Sequence, residues 1–83
     1  MADLTYYVAL PFLRDDTGTL VAGAAEECQS STTALRRAEM LSKAVGNIGA
    51  IAFSRSGDPM AGEFSDAQLI RKFGEVPNDL SEL

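Results

Sequence analysis

Three groups of residues in this chain have side chains of the kind that do chemistry. They are the adjacent carboxylates Asp15 and Asp16 with Thr17 and Gly18, the single cysteine Cys28 beside Glu26 and Glu27, and the later acids Asp58, Glu63 and Asp66. Each lacks a partner it would need. The sequence contains no histidine, the side chain that titrates near neutrality without tuning and the commonest transition-metal ligand. Neither a Ser-His-Asp nor a Cys-His centre can therefore be assembled within the chain. One cysteine and no histidine leave too few nitrogen and sulfur donors for structural zinc. A nucleophilic cysteine needs a nearby cation or helix N-terminus to hold its thiolate. A helix beginning near Ser31 offers that to Cys28, whereas Glu26 and Glu27 oppose it, and Cys28 reads as a small buried hydrophobe. Asp58, Glu63 and Asp66 lack the alternating acidic spacing of a calcium-binding EF-hand loop and read as solvated loop acids. No Walker A loop or GxGxxG turn is present.

Asp16-Thr17-Gly18 resembles the Asp-Thr-Gly signature of retropepsin-type aspartic proteases, small homodimers in which each subunit gives one aspartate to a shared pair. The resemblance covers three residues. In that family the tripeptide ends an apolar stretch, whereas here Arg14 and Asp15 precede it, and no flap or second apolar-glycine element follows at suitable spacing. Aspartates followed by glycine between two apolar segments are turn chemistry. No catalytic residue, cofactor-binding residue or metal ligand is assigned, no cofactor is expected, and the chain is read as a non-enzyme.

The remaining polar signal is cationic. Arg36, Arg37 and Lys43 surround Met40, with Glu39 at the margin, in a chain whose formal net charge is −5. Arginine and methionine are enriched in protein interfaces, which makes Arg36, Arg37, Met40 and Lys43 the candidate partner-binding residues. The expected partner is an acidic protein, or a second copy of the chain through Glu75, Asp79 and Glu82. The alternative reading takes the same face as a nucleic-acid contact, which the overall acidity disfavours because polyanions are bound by neutralising their phosphates. Arg71 and Lys72 extend the patch only if the fold carries them alongside it. An exposed sheet edge is a second route to association.

The element that must present these cations is a helix over Ser30 to Val45. At 3.6 residues per turn, Ala34, Leu35, Ala38, Leu41, Ser42 and Val45 share one face, while Arg36, Arg37, Glu39, Met40 and Lys43 share the other. Ser30 and Ser31 are good N-cap residues, Gly46-Asn47 supplies a stop, and Lys43 suits the C-terminal end of the macrodipole. The inner face is rich in small residues, which lets the helix lie close against a sheet. Burial of Leu35, Leu41 and Val45 is expected to contribute roughly 1.5–3 kcal/mol each.

That sheet is expected from the flanking segments. Leu4 to Leu13 reads as a strand, with Leu4, Tyr6, Val8, Leu10 and Phe12 on the face better suited to the core and Thr5, Tyr7 and Ala9 on the other. Pro11 cannot donate a ladder hydrogen bond, so this strand is expected at an edge or to lose regular pairing near its end. Arg14 to Gly18 forms the turn, and Thr19 to Gln29 returns, with Gly23 marking a bulge or a close backbone contact. Ile48 to Ser54 reads as a central strand covered on both faces, its alanines (Ala50, Ala52) facing the small-residue helix or a tight neighbour. A loop over Ser56 to Gly62, with Pro59 at a turn position, leads to Glu63 to Val76. That last segment fits either a returning strand or a short capped helix, with the strand favoured because sequential elements are usually neighbours.

The fold class is α+β: a small antiparallel sheet of three to four strands with one main helix packed on one face, a ββαβ core whose last element is a strand or a short helix. Residues 1–76 form one domain and 77–83 a flexible acidic tail. At 83 residues the chain buries only about 60% of the surface its unfolded form exposes, so a homodimer would relieve a small core. The N-terminus has Asp3 and no Lys or Arg before its apolar run, which is not a signal peptide, and no stretch reaches the ~18 apolar residues of a membrane span. With one cysteine, the expected location is the reducing cytoplasm. Arg55-Ser56-Gly57-Asp58-Pro59, Gly62-Glu63-Phe64 and Phe73-Gly74-Glu75-Val76-Pro77 are similar to segments of a group of short uncharacterised bacterial and phage-related proteins, which also run from an apolar hairpin into an Ala-rich helix. The resemblance implies a compact domain and no particular activity.

Overall fold

The computed structural model describes residues 4–58, 60–65 and 67–77. Pro59, Asp66 and the acidic tail from residue 78 onward, including Asp79 and Glu82, lie outside them. The elements in chain order are β1 (Leu4–Arg14), β2 (Leu20–Ala22), β3 (Glu26–Cys28), α1 (Ser31–Lys43), β4 (Gly49–Asp58), β5 (Glu63–Phe64) and β6 (Gln68–Gly74). The class is α+β, one helix on a curled antiparallel sheet. β1 and β4 pair at its centre from Leu4↔Gly57 to Phe12↔Gly49. The outer side of β1 carries β2 and β3, and that of β4 carries β5 and β6.

Six strand segments replace the three or four expected, because both outer strands are interrupted. Along β1 the register with β2 (Phe12↔Ala22) and with β3 (Ala9↔Glu26) differs by one residue. One extra residue is therefore accommodated between Ala22 and Glu26, around Gly23. β6 slips by one residue between its pairings with Ala52 and Phe53. Such bulges sharpen the local twist, which curls the sheet. The closing segment forms two strands, β5 and β6, and its described residues hold no helix, so the core is two hairpins joined by a helix rather than ββαβ.

β1 is an interior strand and not an edge, and of the two expectations drawn from Pro11 the loss of regular pairing is the one realised, on the β2/β3 side. The physical reason lies in which way the Pro11 peptide points. In an antiparallel strand a residue's N–H and C=O face the same neighbour, and the Pro11 carbonyl accepts from the Gly23 N–H at 2.8 Å. The N–H that proline lacks would thus have faced the β2/β3 side, where the bulge already interrupts the ladder. The β4 side loses nothing.

The helix begins as its cap chemistry requires, with Ser30 Oγ accepting from the Thr33 N–H at 3.1 Å. It ends earlier than the periodicity suggested. Lys43 is its last residue and Ala44 is already extended, its N–H still donating to the Leu41 carbonyl. Asn47 Nδ2 donates to the same carbonyl at 2.9 Å, and Gly46 takes a φ of 92°, so Gly46-Asn47 closes the turn beyond the helix. Val45 consequently leaves the helical face and is fully exposed. Leu41 packs against the core and Leu35 is half-buried.

The core has two layers with different contents. Ala34 and Ala38 of α1 meet Ala9, Ala50 and Ala52 of the sheet, all fully buried. The larger side chains lie on the opposite face of the sheet, where Leu10, Phe12, Ile51 and Phe53 cluster under Val8, Leu20, Ala67 and Val76. The alternation expected for β1 is observed, but its larger set turns away from the helix, because only alanines let the helix axis approach the sheet.

Candidate functional site

The outer face of α1 exposes Arg36, Met40 and Lys43, and Met40 retains 61% of its surface. A regular helix capped at both ends holds them. Lys43 Nζ lies 3.8 Å from the Glu39 carboxylate one turn earlier, the favourable order for such a pair. Arg37 does something different. Its Nε donates to Glu26 Oε1 at 2.8 Å and its Nη2 to Glu26 Oε2 at 3.0 Å, a bidentate fork of the kind arginine makes best. That fork ties the helix to β3. The hydrogen bonds from Arg37 hold the Glu26 carboxyl below its ordinary range, against the opposing effect of desolvation.

Strand alternation separates Arg71 from Lys72. Arg71 is registered with Ala52 and therefore lies on the helix side of the sheet, whereas Lys72 is registered with Ile51 on the other side. The Arg71 guanidinium carbon lies 5.4 Å from the centroid of the Phe73 ring. Only Arg71 thus shares a side with α1.

The other candidates sit apart from one another. Asp15 Oδ1 accepts from the Thr17 N–H (2.9 Å), the Thr17 hydroxyl (2.7 Å) and the Thr19 N–H (3.0 Å). The Thr17 hydroxyl and the Thr19 N–H are the main reasons that the Asp15 carboxyl is held below its usual range. Gly18 takes a φ of 81°, and Asp16 is exposed at the tip of this hairpin. Cys28 packs against the alanine layer, and its thiol donates to the Glu26 carbonyl at 3.7 Å. Burial pushes that thiol up, Glu26 adds to the effect, and Arg37 offsets it only in part. It is a protonated thiol at neutral pH, the opposite of an activated nucleophile.

Asp58 and Glu63 face each other in register across β4 and β5, on the wall of a groove of about 480 Å³. Asp58 Oδ1 accepts from the Met60 N–H at 2.9 Å, as in an ordinary Asx turn. Among the described residues no three acidic, cysteine or histidine side chains gather where they could hold a metal ion. None of their helices is long and apolar enough to cross a membrane.

One surface escaped the sequence reading. Leu4, Gly57 and Phe64 form a row across β1, β4 and β5, on the face away from the helix. Leu4 keeps 47% of its surface and Phe64 46%. Tyr6 follows Leu4 on this face, its ring centroid 5.9 Å from that of Phe64. Phe64 lies directly over Gly57, where a β-carbon would strike both its ring and the Glu63 carbonyl. Leu69, registered with Phe53, continues the apolar surface onto β6 and is 46% exposed. The only available signal was alternation in β1, and it could not reveal that Phe64 and Leu69 would be strand residues on the same side.

Comparison with family models, with characterised proteins and with solved structures returns no match to this chain. The reading of function therefore rests on geometry.

Proposed function

We propose that this protein is a small, non-enzymatic, cytoplasmic interaction module that docks an acidic protein partner on the outer face of α1. Arg36 and Lys43 supply charge and Met40 the adaptable apolar contact. Arg37 buttresses the surface through its bidentate hydrogen bonds to Glu26. The observation that carries the reading is Met40, 61% exposed among cations on a rigid helix. An exposed methionine with arginine beside it matches the composition of interface centres.

The test is affinity capture from native lysate, comparing wild type with an Arg36→Glu/Lys43→Glu variant, which leaves the Arg37–Glu26 fork in place. Partners captured by wild type should be depleted about tenfold or more in the variant, since like charges facing an acidic partner cost several kcal/mol. Recovery of the same partners at the same level would mean that the helix face is merely solvated. Retention of RNA or DNA that falls steeply with salt would instead identify a nucleic-acid partner on the same face.

A further inference from the structure

The sheet has two edges, and the direction of the backbone groups on each can be followed outward from β1. In an antiparallel strand the N–H and C=O of one residue point to the same side, and the side alternates along the chain. The Pro11 carbonyl accepts from the Gly23 N–H on the β2/β3 side. Tyr7 and Ala9 therefore also face β3, and their register partners Cys28 and Glu26 face β1. Glu27, between them, turns its N–H and C=O outward. At the other edge the Glu75 N–H donates to the Ile48 carbonyl, so Phe73 and Arg71 face β4 and Lys72 turns outward.

These two outward residues carry opposite charges and lie on one side of the sheet. Glu27 is registered with Val8 and Lys72 with Ile51, both on the side turned away from the helix. Both are exposed, and among the described residues neither makes an ion pair. β3 is antiparallel to β1, β1 to β4, and β4 to β6, so the two edge strands run in opposite directions.

We propose that a second copy of this chain, in the same orientation, adds its β3 to the β6 edge with Glu27 opposite Lys72. Direction, backbone and side-chain face then agree together. The new pair is antiparallel, the main-chain groups of Glu27 and Lys72 point at each other, and the two helices stay on one side of a continued sheet. In this register Arg71 faces Cys28 and reaches Glu26 on the diagonal, on the helix side. Ala25 faces Gly74, so no large side chain obstructs that end. Glu27 lies in the row of Phe53 and Lys72 in that of Ile51, so each added copy is displaced along the strands by that stagger. Pairing β6 with β6 would instead bring cations together, and pairing β3 with β3 would bring glutamates together. Like charges across a strand pair are unfavourable, the means by which charged edges limit association. The contact is head-to-tail, so a dimer keeps one free β3 and one free β6 edge and growth continues past two copies. It rests on a short ladder and a solvated charge pair, so the Kd is ~0.1–1 mM. The edges are separate from the helix face proposed above and do not depend on it.

Sedimentation velocity from ~0.05 to ~2 mM tests the proposal, using wild type, Glu27→Lys, Lys72→Glu, the double exchange and an equimolar mixture of the two singles. Both sites are exposed, and far-UV circular dichroism should match wild type. Wild type should pass through dimers into larger species as concentration rises. Each single reversal should weaken association about three- to tenfold, because an attractive contact becomes repulsive. The double exchange should recover wild-type association to within about twofold. So should the mixture, since copies that alternate along the array join opposite charges at every junction. Arg36→Glu on the helix face should change nothing. In a parallel NMR dilution series, the amide signals of Glu27 and Lys72 should move with concentration while those of Arg36 and Met40 stay fixed. Four results would each overturn the proposal: wild type monomeric at ~2 mM, single reversals without effect, a mixture as weak as its components, or Lys72→Glu associating more strongly than wild type.

Discussion

Under the helix the sheet presents Ala9, Ala50 and Ala52 to Ala34 and Ala38, whereas the face turned away carries Leu10, Phe12, Ile51 and Phe53. In most small α+β domains the helix would be expected to cover the larger residues, since its burial supplies most of the stability of such a layer. Here the two tasks are divided. The alanine layer contributes little transfer energy per residue but brings backbone close to backbone, where dispersion is dense. The opposite face holds the large buried side chains. The helix is accordingly positioned by contact distance, by its Ser30 cap and by the Arg37–Glu26 fork at its flank. Its outer surface is left free for other work.

The two layers should fail in opposite ways, and the larger effect belongs to the helix-free face. Ile51 is fully buried at the centre of the sheet. Ile51→Ala should lower the unfolding free energy by about 2–5 kcal/mol, the transfer loss plus an unfilled cavity. Because a domain this small has little stability to spare, the variant is expected to be largely unfolded at 37 °C by circular dichroism. A melting temperature within a degree or two of wild type would mean that this face is not the main store of burial energy.

Ala38 probes the other layer by addition instead of removal. Ala38→Leu should cost about 1–3 kcal/mol, because an isobutyl group at a position with no free volume must push the helix off Ala50 and Ala52. Denaturant titration would give the value, and a reporter on the helix would show the displacement. If the substitution stabilised the protein, the alanine contact would be looser than its complete burial implies. The comparison is sharpest if both variants are made in one background, since one responds to lost volume and the other to added volume.

How much of this was legible in the sequence follows the same division. The helix, its Ser30 cap and the alternation of β1 were readable because each is a local pattern: periodicity, a side-chain oxygen at the right offset, and every second residue apolar. The pairing of Ala50 and Ala52 with the helix followed from size matching. Which face of β1 the helix would choose was not legible, because alternation defines two faces without saying which is covered. Pro11 left an edge position and an interrupted ladder both open for a related reason, since the sequence shows that an N–H is missing but not toward which neighbour. Val45 continued the helical stripe by count, yet the chain had left the helix at Lys43, which depended on Asn47 reaching back to the Leu41 carbonyl. At the candidate site, Arg36, Met40 and Lys43 were recognised as a surface by their types. The capture of Arg37 by Glu26 was not, because the two lie eleven residues apart in sequence and meet only through the fold.

That fork gives the smallest and most specific contrast between the layers. The Glu26 carboxyl is held below its ordinary range by Arg37, so the folded state binds its proton more weakly than the unfolded chain does. A group of this kind adds stability above its unfolded pKa and loses it as pH falls through the folded value. Glu26→Gln should therefore be slightly less stable than wild type at neutral pH. The two melting curves should converge as the pH falls from the ordinary carboxylate range to below it. Both partners are substantially solvated, so added salt should narrow the neutral-pH gap as well. Ile51→Ala, by contrast, should keep its full deficit at every pH, since the side chains clustered with it are all apolar. A Glu26→Gln deficit that persisted unchanged into acid would show that the fork contributes through packing rather than charge.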